Sequence, residues 1–388
     1  MPILDHNLSV SSRKTNNMTT KRALLTFVCL CVMFHGVTGY ARCNIQCRSS
    51  HARLQYSTIS TTKVPKFNSR LLPESHHILF ASTNNELVGE DAAVFSLEQQ
   101  QLKSWVIFGA AVATVLGIIF LGWIYEGEGG LQLGNKFKSW MEDLANGDST
   151  LTITYMLAFF AVVHSGLASL RPKAEDVLSS LIGEAAGTRA WRVVFAMASL
   201  PLALSCIVYF INHRYEGVQL WNFRDEPAMH SFVWVTSFIS FLFLYPSTFN
   251  LLEVAAVDKP KLHLWETGIT RITRHPQMVG QLMWCFAHTA YIGSTFMCAT
   301  SSMLCLHHLF AVWNGDRRLE DKYGDRAILI RDRTSVVPFA AILSGKQVLP
   351  DDYYKEFIRG PYALIVIFTT AAYFAHPYMQ AGSALLHW

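Results

Sequence analysis

Charge is what this sequence has least of. Asp, Glu, Lys and Arg make up 15% of its 388 residues, while 51% are hydrophobic and the mean hydropathy is +0.24. Soluble domains carry about 25% charged residues, so the deficit points to a protein that lives in lipid. The net charge of +4 is small, and no Lys/Arg-rich run with interleaved aromatics is present, which argues against a nucleic-acid partner. Nor is there a disulfide framework. Cys29, Cys31, Cys43 and Cys47 lie in the first fifty residues, and Cys206, Cys285, Cys298 and Cys305 lie in apolar segments. Cys43 and Cys47 have CxxxC spacing with no second pair nearby, which argues against zinc. No internal repeat is found.

Acidic residues are also nearly absent from one long stretch. Between Tyr40 and Ala81 only Glu74 is acidic, amid many Ser, Thr, Arg and His, the composition of a transit peptide. Before it come a basic start (Arg13, Lys14, Lys21, Arg22), a short apolar core from Ala23 to Phe34, and the small residues of Val37-Thr38-Gly39. That core is too short to span and reads as a signal peptide. The expected organisation is a cleaved two-part targeting presequence, signal peptide 1–39 and transit-like 40–85, followed by a membrane-embedded catalytic domain, 86–388. A signal peptide before a transit peptide resembles the leader of proteins sent to plastids bounded by extra membranes.

What is present in quantity is apolar runs near the roughly 20 residues that cross a bilayer. These are Trp105 to Tyr125, Leu151 to Leu170, Val193 to Ile211, Ser231 to Leu252, Gln277 to Cys298 and Pro361 to Gln380, with a shorter run from Ala299 to Trp313. Backbone polar groups in lipid must be satisfied within the segment. The expected fold is therefore all-α, a polytopic membrane helical bundle with six or seven transmembrane helices. Between spans, Arg171 to Arg192 reads as an amphipathic interfacial loop and Asp316 to Arg333 as a charged helix. The stretch Asp351 to Arg359 reads as an anchor with Tyr353, Tyr354 and Phe357 on one side. Pro201 and Pro246 should kink their spans.

The chemistry is concentrated in Trp265 to His288, WETGITRITRHPQMVGQLMWCFAH. Gln277, Gln281, Cys285 and His288 recur at helical spacing and share one face. A polar stripe at membrane depth is a functional-site hypothesis by default. His164 lies inside the second span, in AVVHSGLASLR. On straight helices His164 and His288 are each within roughly 5 Å of their span's midpoint. A single membrane histidine is more often a helix–helix contact. Two imidazoles at one depth are what six-coordinate haem iron requires. Cys285, one turn before His288, reads either as a small buried hydrophobe or as a third donor to iron. Glu253 can accept from a histidine and fix its tautomer, or pair with Arg271 or Arg274.

The runs AVVHSGLASLR, FINHRYEGVQLW, FLYPSTFNLLEVAAVDKPKLHLWETGITRITRHPQMVGQLMWCFAHT, HHLFAVWNGDRRLEDKYG, RTSVVPFAA, LPDDYYKEF and AYFAHPYMQ closely resemble the NnrU-type membrane family that includes plastid zeta-carotene isomerases. The resemblance covers roughly residue 86 to the C-terminus. It implies cis-trans isomerisation of the 15-cis double bond of 9,15,9'-tri-cis-zeta-carotene to give 9,9'-di-cis-zeta-carotene, with haem b as cofactor, active when its iron is reduced. It implies His164 and His288 as ligands to the iron and Cys285 as the alternative ligand on reduction. His213, in FINHRY, is implied to be needed as well. Implied partners are the polyene substrate, the lipid bilayer, an electron donor and other enzymes of the carotenoid pathway. The polyene is expected between the second, fourth and fifth helices, against Phe241, Phe243, Trp284 and Phe286. The chain departs from the family in a longer loop around Pro172 to Ala190.

Two other activities compete. RHPQMVG resembles the RHPxYxG element of membrane methyltransferases that use S-adenosylmethionine, although Gln277-Met278 replaces the usual residues and His164 and Cys285 are left without a role. A non-enzymatic haem-binding accessory protein would use the same two histidines for electron transfer.

Overall fold

The computed structural model describes residues 88–89, 102–126, 128–245, 263–264, 268–358 and 360–383. The presequence and the segment holding Pro246 and Glu253 lie outside the described residues. The regular structure of the described residues is helical, apart from a two-residue parallel contact between Val88–Gly89 and His263–Leu264 and an isolated bridge between Gln219 and Ser294. Five helices are long and apolar enough to cross a membrane, so the all-α membrane bundle expected from composition is what forms.

The first helix, α1 (Leu102–Ile119), widens into a π-helical turn at Phe120–Ile124, where Trp123 donates its indole N–H to Ser205 Oγ at 2.8 Å. An amphipathic helix, α2 (Leu133–Leu144), buries Phe137 and Met141 and leaves Trp140 and Leu144 exposed. Asp148 then caps the next helix by accepting from the Leu151 amide at 2.8 Å, as a β-region N-cap carboxylate does.

The capped helix is α3 (Ser149–Ile182), which is followed by α4 (Glu184–His213). At 34 residues α3 is about 51 Å long, well beyond a hydrocarbon core of about 30 Å. The expected loop at Arg171 to Arg192 is therefore corrected to a helical hairpin that continues past the span. Its polar residues pair within the helix, Arg171 with Glu175 at 2.7 Å, so they need no loop to reach water. The chain reverses at Gly183, whose φ of +86 and ψ of 153 suit glycine far better than residues with a Cβ.

Helix α5 (Pro227–Leu244) starts on a proline at its first turn, where the missing N–H costs nothing. A short α6 (Ile269–Ile272) precedes α7 (Pro276–Ile292), which ends at Gly293. Next, α8 (Thr295–Tyr323) is capped by Ser294, which accepts from the Met297 amide at 3.3 Å. The fifth expected span thus ends at Ile292, six residues early, and the sixth is a full 29-residue helix. The expected charged helix at Asp316 to Arg333 is cut in two, because its first half is the end of α8. The chain turns at Gly324 into α9 (Asp325–Arg333). Helix α10 (Ala340–Leu343), a 3-10 turn at Tyr353–Phe357 and α11 (Gly360–Ser383) complete the chain. In the expected anchor, Tyr353 and Phe357 pack inward against the core while Tyr354 points out.

The helices pack in the order α1, α4, α3, α8, α7, α5, α11. Gly280 lets α7 approach α5: a Cβ there would sit 2.5 Å from the Ser240 carbonyl oxygen and 2.7 Å from Leu244 Cγ. Large apolar side chains such as Val162, Phe286, Leu306 and Phe374 face outward, an arrangement that suits lipid. Of the expected six or seven spans, five are helices long and apolar enough to cross a membrane; the apolar part of α1 with its π turn is shorter, at Gly109–Ile124, and α7 has 17 residues.

Candidate functional site

The polar stripe of α7 faces inward, as its spacing requires. Cys285 is buried, and Gln281 donates to its Sγ at 3.3 Å. Its carbonyl accepts from Ser301 Oγ of α8 at 3.5 Å. Thr289 and Ser301 share a hydroxyl contact of 2.7 Å.

His288 is fixed twice over. Its ring stacks on Trp284 with 3.9 Å between centres and 23° between planes. Its Nδ1 lies 2.9 Å from the Trp284 carbonyl oxygen. A carbonyl only accepts, so Nδ1 carries the proton and Nε2 holds the lone pair. That is the tautomer a metal ligand needs, fixed by the hydrogen bond of the other nitrogen.

His164 sits where α3, α4 and α8 meet. Its ring contacts Phe160 at 5.2 Å, Phe195 at 5.0 Å and His307 at 5.3 Å between centres. His307 was not singled out from the sequence as a partner, because two adjacent histidines in a short apolar run carry no periodic signal. Its Nδ1 is buried and has no hydrogen-bond partner among the described residues.

The two sequence-predicted ligands occupy different levels. The hydroxyls of Thr150 and Thr295, 3.4 Å apart, set the starts of α3 and α8 side by side, so these helices run parallel and His164 comes level with His307. Helix α7 runs antiparallel to α8, and the Thr289–Ser301 contact puts His288 close to the level of Ser301. His307 lies six residues further along α8, roughly 9 Å deeper. Cys285, one turn before Thr289 on the antiparallel α7 and bonded through its carbonyl to Ser301, lies between the two levels.

His213 is elsewhere. It closes α4, stacks on Tyr209 with 4.0 Å between centres and pairs with Glu216 at 2.8 Å. It is 18 residues beyond Phe195, about 27 Å along α4 from the level of His164. Of the expected polyene contacts, Phe243 is buried, Trp284 lies against Phe210 and His288, Phe241 lies against Tyr245, and Phe286 faces outward beside Phe232.

At the other end of α7 the RHP element forms a clasp. Arg274 donates twice to Asp316 Oδ2, at 3.0 and 2.7 Å, and His275 Nε2 lies 2.7 Å from Oδ1. Arg271 pairs with Glu356 at 2.9 Å. Tyr353 donates to the Gly268 carbonyl at 2.9 Å; burial, with the negative charge of Glu356 beside it, pushes its phenol above the usual range, so it stays a donor. These charges already have partners. The element holds α6, α8 and the 3-10 turn together, which disfavours a role in cradling S-adenosylmethionine.

Fold and site together define a class, a multi-pass α-helical membrane protein with imidazole and thiol donors at membrane depth. The chain belongs to the NnrU protein family, which matches residues 152–383. It is 56% identical over 302 residues to the 15-cis-zeta-carotene isomerase, chloroplastic, of Arabidopsis thaliana, covering 78% of this chain and 79% of that protein. It is 52% identical over 302 residues, with the same coverage, to the protein of that name from Zea mays. No solved structure matches it.

Proposed function

We propose that this chain isomerises the 15-cis double bond of 9,15,9'-tri-cis-zeta-carotene to trans, giving 9,9'-di-cis-zeta-carotene, in a plastid membrane. The observation that carries this reading is the 56% and 52% identity to two chloroplastic isomerases over 78% of the chain. The outward-facing apolar surface supports it, since a hydrocarbon polyene has no polar handle and partitions into the bilayer.

The reading includes haem b. Among the described residues no group of three or more His, Cys, Asp or Glu could hold a bare metal ion. Haem needs only one or two protein donors, because its macrocycle supplies the rest. The Nε2 of His288, the nitrogen not engaged with the Trp284 carbonyl, is such a donor. When bound, haem iron supplies a Lewis acid that draws electron density from the polyene and lowers the order of its central double bond, with no net redox change. His164 offers an imidazole from α3, and α7 offers two donors one turn apart, His288 and Cys285. Gln281 donates to the Sγ of Cys285 and so fixes where the sulfur points. His213, at the end of α4, acts through position rather than on the metal. An electron donor keeps the iron reduced.

The test is expression in cells that accumulate the tri-cis isomer, with chromatography of the products and absorption spectra of the purified protein, oxidised and reduced. The expected result is the di-cis product and a haem spectrum that changes on reduction. Haem without conversion would leave the accessory role, and binding of S-adenosylmethionine without haem would favour the methyltransferase.

A further inference from the structure

We propose that Cys285 of α7 and Cys305 of α8 form a reversible disulfide, a site of oxidation that takes the thiol donor of α7 out of use. The pairing stands on the packing of the two helices alone; its consequence for turnover rests on the isomerase and haem reading above.

The register of α7 on α8 brings the two residues level. The helices run antiparallel, and the hydroxyls of Thr289 and Ser301 meet at 2.7 Å. One turn back along α7 from Thr289 is Cys285, and one turn on along α8 from Ser301 is Cys305. In an antiparallel pair these two steps run the same way, each about 6 Å, so the cysteines share the seam that the hydroxyls share. A second contact agrees with this register. Ser301 Oγ donates to the Cys285 carbonyl at 3.5 Å, which sets the Ser301 face of α8 over the turn of α7 between Cys285 and Thr289. Thr, Ser and Cys are small side chains, and small residues let membrane helices approach closely. A disulfide needs that closeness, with Cα atoms about 4.4–6.8 Å apart. Cys298 does not compete: it lies seven residues before Cys305 on α8, roughly 10 Å away along the axis.

The two thiols differ in access. Cys285 is 1% exposed, whereas Cys305 is only partly buried. An oxidant therefore meets Cys305 first. With hydrogen peroxide as oxidant, the Cys305 sulfur attacks one oxygen and the O–O bond breaks. The sulfur becomes a sulfenic acid, and the departing hydroxide leaves as water with the thiol's proton. The Cys285 sulfur then displaces the sulfenic hydroxyl. The S–S bond forms, and the hydroxyl leaves as a second water with the proton of Cys285. Two thiols are oxidised and one peroxide is reduced. A dithiol reverses the bond by exchange. While it stands, Cys285 has no thiolate to offer, since the thiolate is the metal-binding form, and of the two donors on α7 His288 alone remains.

Full-length protein purified in detergent in its reduced form is treated with hydrogen peroxide, quenched with catalase, alkylated, and mapped by peptide mass spectrometry. The expected product is a joined pair of peptides holding Cys285 and Cys305, two hydrogens lighter than their sum and separated by dithiothreitol. Isomerisation of the tri-cis substrate by the same preparation should fall to the level of Cys285→Ser and return with dithiothreitol. Cys305→Ser, active when reduced, should keep its rate through the peroxide treatment. Both thiols alkylated after peroxide, a linkage to Cys206 or Cys298 instead, a joined pair with the rate unchanged, or equal loss of rate in wild type and Cys305→Ser would each overturn the inference. No conversion by the reduced wild type would overturn the isomerase reading, and the peptide map would still decide the pairing.

Discussion

His288 lies flat on Trp284, 3.9 Å between ring centres, and gives its Nδ1 proton to the carbonyl of the same residue. The hydrogen bond is to backbone and survives any substitution at 284, while the stacking does not. Trp284→Ala is therefore expected to lower haem affinity roughly tenfold, the lower end for losing an outer partner of a metal ligand. Trp284→Phe keeps a ring beneath the imidazole and should stay near wild type. Haem titration of the two variants checks this.

The clasp at the start of α7 depends on one carboxylate. Asp316 takes both Arg274 and His275, with side chains 17% and 9% exposed. Asp316→Ala leaves a half-buried guanidinium and an imidazole without their acceptor, expected to destabilise by about 3 kcal/mol. Asp316→Asn, which can still accept, should cost less. Thermal unfolding in detergent measures both, and the haem spectrum should be unchanged in each below the transition.

Gly280 sets the spacing of α5 and α7. A methyl group there meets the Ser240 carbonyl oxygen at 2.5 Å, backbone that cannot swing aside. Gly280→Ala is expected to destabilise by about 2 kcal/mol, the range for overpacking, and to lower turnover by displacing Cys285. Gly166, with nothing within 4 Å of its added Cβ, provides the control, and Gly166→Ala should be neutral in both assays.

His213, tied to Tyr209 and Glu216, stands well away from the level of His164. His213→Ala is expected to reduce isomerisation with haem occupancy and the ferric spectrum unchanged, and His213→Gln to recover part of the rate. Loss of haem in His213→Ala would make it a ligand.

Much of the fold was legible in the residues. Uncharged runs located every long helix, Pro276 marked the start of α7, and four-residue spacing put Gln281 and Cys285 on one buried face. Two boundaries were not. Arg171 to Arg192 is polar enough to resemble a loop, yet it forms the tip of a helical hairpin because Arg171 is neutralised by Glu175 within its own helix. The end of α7 at Gly293 was hidden by apolar sequence on both sides, since hydropathy does not register a turn between two buried helices.

The site divides in the same way. The sequence by itself determined that the protein is a membrane bundle and that its donors are imidazoles and a thiol at membrane depth, because hydropathy and helical periodicity are local properties of the chain. Only the tertiary structure decided which donors meet: His164 with His307, Cys285 with Gln281 and Ser301, Arg274 with Asp316. Those pairings depend on how far one helix slides along another. That register is set by contacts far apart in sequence, such as Thr150 with Thr295 and Gly280 with Ser240, and a slide of six residues moves a ligand by roughly 9 Å.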